Sequence, residues 1–130
     1  MNRKGRKRID EAVREAEAHT GLQFCVYLGP TAEDTRGHAE KMFVDAGMQE
    51  RPAVLVLVAP DQHSVEIVTA PDARERLTDD ECAAALSEMT PYFARNEFVD
   101  GIVVGLRELA ERTGKGDGGP PGTDLPNVLG

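Results

Sequence analysis

The sequence predicts a single α/β domain, a small mixed β-sheet built from a βαβ crossover plus an antiparallel hairpin strand, with helices on both faces. Three observations predict it. The run AVLVLVA at 53–59 is apolar without alternation, the mark of a strand covered on both sides. Segments of helical period flank it along the chain. At 130 residues, with 40% hydrophobic and 29% charged residues, the chain can bury one core and has no room for a second.

Ile9, Ala12, Val13 and Ala16 keep the i, i+3, i+4, i+7 spacing of an amphipathic helix, and Gly21 stands where a helix C-terminal glycine belongs. In LQFCVYLGP, Leu22, Phe24, Val26 and Leu28 share one face, Cys25 and Tyr27 share the other, and Gly29-Pro30 ends the strand. Thr31 and Asp34 form an approximate capping arrangement for a second helix. Its buried stripe is Ala39, Met42, Phe43 and Ala46, and it ends at Gly47. After strand 53–59, PDQHS makes a turn, and Val65, Ile67 and Thr69 alternate with Glu66 and Val68 in a hairpin strand. Pro71 to Leu77 reads as a short helix or turn. The next helix is expected to bury Cys82, Leu86, Met89 and Phe93 and to break or bend near Pro91. A last helix carries Phe98, Ile102, Leu106 and Leu109.

The domain therefore spans 9–113. A basic arm, 1–8, precedes it. The Gly/Pro-rich stretch 114–130 follows, and its composition predicts disorder, with Leu125 to Leu129 able to dock on a partner. No apolar run reaches the roughly 20 residues that span a bilayer, and the start has no leader pattern, so no membrane insertion and a cytoplasmic location are expected. The net charge of −8 conceals an asymmetry: the first eight residues hold five basic groups, leaving 10 basic against 23 acidic residues elsewhere. Such a body repels nucleic acid and anionic lipid.

The segment RLTDDECAAAL concentrates three carboxylates behind Thr78. Thr78 with Glu81 three residues on is a capping box, and acids in a first turn are favoured by the helix dipole by about 0.3–1 kcal/mol each, so helix chemistry accounts for most of the run. The topology places Asp79 and Asp80 with Asp72 at one sheet end, and Asp34 with Asp61 at the other. Each group is a candidate Ca²⁺ or Mg²⁺ site, although adjacent helix positions aim Asp79 and Asp80 apart. His19, His38 and His63 lack metal-ligand spacing and read as surface residues. Cys25 and Cys82 are too few and too distant for a disulfide framework or zinc cluster. In the first turn of its helix, Cys82 has a dipole that lowers a thiol pKa and neighbouring acids that raise it.

Four segments carry a family resemblance: IDEAVREAEAHTGLQFCVYLG (9–29), AEKMF (39–43), AVLVLVAPDQHSVEIVT (53–69) and LTDDECAAALSEMTPYFARNEFVDGIVVGLREL (77–109). Together they resemble the TPM domain family, in particular a small, soluble, uncharacterised bacterial branch. The resemblance implies a twisted sheet between helices and an acid-phosphatase activity or divalent-ion binding, with Asp79 at the aspartate of the LTD motif. The preceding TAPDARERL departs from the family's glycine-rich loop, with Ala70 and Asp72 at glycine positions and Arg74 at an acidic one.

The sequence offers no nucleophile elbow, phosphate-cradling glycine loop or Cys-x5-Arg, and it identifies no catalytic residue. The expected function is a non-catalytic binding or assembly module that presents Tyr92-Phe93, the link Phe98 to Gly101, or the tail to a protein partner, as a monomer or weak dimer. The alternatives are a Ca²⁺- or Mg²⁺-binding regulatory domain and a metal-assisted acid phosphatase.

Overall fold

The computed structural model describes residues 2–31, 34–114 and 128–129. The elements, in order, are α1 (Arg3–Thr20), β1 (Gln23–Leu28), α2 (Thr35–Asp45), β2 (Ala53–Ala59), β3 (Ser64–Thr69), α3 (Pro71–Arg74), α4 (Asp79–Ala94), α5 (Phe98–Thr113) and β4 (Val128–Leu129). Short 3₁₀ turns lead into β2 and out of it.

The sheet order is β3-β2-β1-β4. β1 and β2 run parallel, from Gln23 opposite Ala53 to Leu28 opposite Val58, and β3 returns antiparallel to β2. β2 is buried at every position, as its unbroken apolar run predicts. Strand alternation divides the core. Phe24, Val26, Val54, Val56 and Val58 pack under α1, α4 and α5. Cys25, Leu55 and Leu57 pack with Ala39 and Phe43 of α2 on the opposite face. The mixed sheet with helices on both faces is thus the predicted architecture.

Several boundaries differ from expectation. α1 begins at Arg3, with the Asn2 side chain accepting a hydrogen bond from the Gly5 amide at 2.7 Å, so Arg3 to Arg8 form its first turns and not a separate arm. Arg8 lies 2.7 Å from Asp100, which ties this end to the start of α5. Asp34, not Thr31, caps α2, accepting from the Gly37 amide at 2.9 Å. α4 runs through Pro91 to Ala94. The proline forfeits one helical hydrogen bond, and packing on α5 holds the turn.

Of the tail, Val128 and Leu129 lie opposite Val26 and Tyr27 as a parallel strand on β1, and the other residues of 115–130 lie outside the described residues. Composition cannot register such a pairing, since a β-ladder is made by the backbone.

The α4–α5 contact is close because α5 carries glycines one turn apart. A Cβ on Gly101 would stand 2.6 Å from the Phe93 ring, and one on Gly105 would collide with the Met89 side chain. α4 ends in a Schellman motif. Asn96 adopts the left-handed conformation, its amide donates to the Phe93 carbonyl at 3.0 Å, and the Glu97 amide donates to the Tyr92 carbonyl at 2.8 Å.

Candidate functional site

The acidic run is a helix start. The Thr78 hydroxyl accepts from the Glu81 amide at 3.2 Å, and the Thr78 amide donates to the Glu81 carboxylate at 3.1 Å, which completes the capping box. Asp79 and Asp80 follow in the exposed first turn, and Asp72 is exposed in the first turn of α3. At the other sheet end, Asp34 is occupied as the cap of α2 and Asp61 is exposed in the turn after β2. Among the described residues, no group of three or more His, Cys, Asp or Glu side chains gathers closely enough to hold a metal ion.

Arg74 has a structural task. Its guanidinium donates to the Thr69 carbonyl at 2.7 Å and to the Thr69 hydroxyl at 3.2 Å, pinning the corner between β3 and α3. Arg76 likewise donates to the Thr20 carbonyl at 2.6 Å and the Gly114 carbonyl at 3.0 Å, joining the C-terminal ends of α1 and α5.

Both cysteines are buried thiols. Burial pushes Cys82 up to about 11, with help from Asp79 and Glu81. Cys25 is pushed up to about 12, again by burial first and then by Glu17. Desolvation outweighs the helix dipole at Cys82, so neither thiol carries appreciable thiolate near neutral pH. His19 lies in the last turn of α1, and the His38 ring packs 6.4 Å from Tyr27. His63, in the left-handed conformation, turns the β2–β3 hairpin.

His63 also lines a pocket of about 500 Å³ at the carboxyl end of β2. The end of β2 and the turn after it line it with Val58, Ala59 and Pro60, the hairpin and β3 with His63, Ser64 and Val65, and the α4–α5 region with Leu86, Thr90, Phe93, Ala94, Asn96 and Phe98. Phe93 and Phe98 stack with centroids 5.7 Å apart. Among the described residues, the lining holds no carboxylate, lysine, arginine or cysteine. A second cavity of about 430 Å³ adjoins it, sharing Pro60, Asn96 and Phe98 and extending to Leu28, Gly29 and Val99. The two lie beyond the carboxyl ends of the parallel strands, where ligands bind in open α/β sheets.

Leu86 and Phe93 show what periodicity could not resolve. Both carry the helical stripe expected to be core, yet both are only partly buried, because they line the pocket as well as packing against the core. The sequence pattern marks the hairpin part of the lining, His63 to Val65, only as turn and strand. An apolar helix position facing a hairpin turn is the available signal, and it becomes visible only once the strands are registered.

Residues 1–110 match the family described as "Domain of unknown function (DUF5130)". This overturns the resemblance to the TPM domain family, and the phosphatase reading drawn from it loses its support. The quoted segments carry capped helix starts, strand runs and turn residues, which report an order of elements and not a lineage. Two uncharacterised proteins from strains of Mycobacterium tuberculosis are each 26% identical over 102 residues, which is 78% of this chain and 60% of theirs. The chain thus spans less than two thirds of the length of these relatives. Among solved structures, the BA42 protein from the psychrophilic bacterium Bizionia argentinensis superposes with a TM-score of 0.85 at 21% identity, covering 99% of this chain and 95% of that one. The N-terminal domain of a protein from P. gingivalis gives 0.75 at 16% identity, over 86% of this chain and 75% of that one. At these identities the likeness shows a shared fold. Among the described residues, no helix is long and apolar enough to cross a membrane.

Proposed function

We propose that the chain, which belongs to the DUF5130 family of domains of unknown function, is a non-catalytic binding domain whose site is the pocket between the β2–β3 turn and the α4–α5 junction. The observation that carries this reading is the pocket's chemistry. About 500 Å³ lies within the range of small-molecule sites, roughly 300–1,000 Å³. Its walls are apolar and aromatic, and its polar groups are Ser64, Thr90, Asn96 and His63, with no lysine, arginine or carboxylate among the described lining residues. Such walls favour an uncharged, largely apolar ligand with a hydrogen-bonding group at the rim, and they penalise a phosphate or carboxylate, which would lose its hydration without a paired charge. The high thiol pKa values of Cys25 and Cys82 also favour binding over nucleophilic chemistry.

The test is a titration with the neutral fluorophore N-phenyl-1-naphthylamine, read by emission and by amide shifts. Saturable binding that shifts Val65, Leu86 and Ala94 amides, and that weakens at least tenfold in Thr90→Phe and Ala94→Phe, is the expected result. Absence of saturable binding, or equal affinity in both variants, overturns the reading.

A further inference from the structure

We propose that the outer edge of β1 is a strand-addition site for an extended, uncharged peptide segment, and that Val128–Leu129 are its built-in occupant, which a partner must displace. The ladder sets the geometry. The Gln23 amide donates to the Pro52 carbonyl and the Gly29 amide to the Val58 carbonyl, both toward β2. Strand alternation therefore turns the backbone groups of Phe24, Val26 and Leu28 to the outer edge. The Glu17 carboxylate takes the Phe24 amide at 3.0 Å, which closes the first half of that edge and disfavours acidic residues beside it. Val26 and Leu28 remain for a ladder, and the observed occupant pairs there, Val128 opposite Val26 and Leu129 opposite Tyr27.

This occupant is a minimal one. Among the described residues, two pair on this side of β1, against six on the side of β2. The next position in register lies opposite Leu28, which lines the cavity of about 430 Å³ with Gly29, Phe98 and Val99. A side chain there would share the face of Leu28, the face of α1 and α5. In the sequence Leu129 is followed by Gly130, which has no side chain to offer. The favoured partner is therefore a segment similar to Asn127-Val128-Leu129 followed by an apolar residue, held by backbone pairing and anchored by that side chain.

The experiment uses the full chain carrying Val128→Pro and Leu129→Pro, whose own segment cannot pair, and follows amide shifts on adding a peptide of residues 124–130. The Val26 and Leu28 amides are expected to move, while shifts in α4 and α5 report that the fold is intact. The same peptide with Gly130→Leu should bind at least threefold tighter, and a peptide N-methylated at the Val128 and Leu129 nitrogens should not bind. The unsubstituted chain should need at least tenfold more peptide, because its tethered segment competes at high effective concentration. No shift in the variant, or equal binding by the N-methylated peptide, overturns the proposal. Concentration-dependent dimerisation of the unsubstituted chain with the same amides protected also overturns it, assigning the edge to a second copy.

Discussion

The Glu17 carboxylate on α1 accepts the Phe24 amide hydrogen of β1 at 3.0 Å, so a partly buried acid does the work of a neighbouring strand at the start of the sheet edge. Burial raises the Glu17 pKa, the amide hydrogen bond opposes that, Asp10 adds to the rise and Arg14 subtracts from it. The folded chain therefore holds this proton at a pH where the unfolded chain has released it. Stability should fall as pH rises from the ordinary carboxylate value through the raised one. Glu17→Gln keeps an acceptor oxygen for Phe24 and removes the buried charge. We expect urea unfolding of Glu17→Gln to show equal or greater stability at pH 7 and a flatter profile across that window. A loss of stability at pH 7 would mean that the ionised carboxylate is itself required.

Gly101 and Gly105 let α5 approach α4. Gly105→Ala should cost about 1–3 kcal/mol from overpacking against Met89, partly offset by about 1 kcal/mol of helix propensity. Gly101→Ala presses on the Phe93 ring, which walls the pocket, so it should also weaken binding of a neutral apolar probe. Thermal unfolding with probe titration separates the two, since Met89 lies outside the pocket lining and Gly105→Ala should leave affinity unchanged.

How much of this was legible follows from which forces are local. The strands at 53–59 and 22–28, the stripe Ile9, Ala12, Val13 and Ala16, and the Thr78–Glu81 box are written in side-chain type and spacing, and each stands where its pattern places it. The extension of α1 back to Arg3 was not legible, because a basic first turn opposes the helix dipole and is held by Asn2 and by Arg8 against Asp100, a contact across 92 positions of sequence. The pocket was half legible. Phe93 and Phe98 drew attention as aromatics, whereas Ser64, Thr90 and Asn96 acquire meaning only from the meeting of a hairpin turn with a helix end.

Cys25 and Cys82 should behave as core side chains. With pKa values pushed to about 12 and about 11, both should react with a disulfide reagent such as DTNB at pH 8 far more slowly in the native chain than in guanidinium. Cys82→Ala should destabilise mildly without altering probe binding. Rapid native labelling of Cys82 would show that α4 opens locally.

The acidic run offers a direct contrast between helix chemistry and ion binding. Thr78→Ala removes the acceptor for the Glu81 amide and should cost about 1 kcal/mol. Asp79→Asn leaves the box intact and removes only a favourable charge–dipole term, about 0.3–1 kcal/mol, which salt should screen. An ion site filled at 100 times its dissociation constant would instead add about 2.7 kcal/mol, a shift of several degrees in a domain of this size. Because Asp79 and Asp80 lie in the exposed first turn of α4 and Asp72 in that of α3, we expect Ca²⁺, Mg²⁺ and EDTA to leave the midpoint unchanged in both the unsubstituted chain and Asp79→Asn. A rise with one ion that Asp79→Asn abolishes would make these carboxylates ligands first and helix-starting residues second.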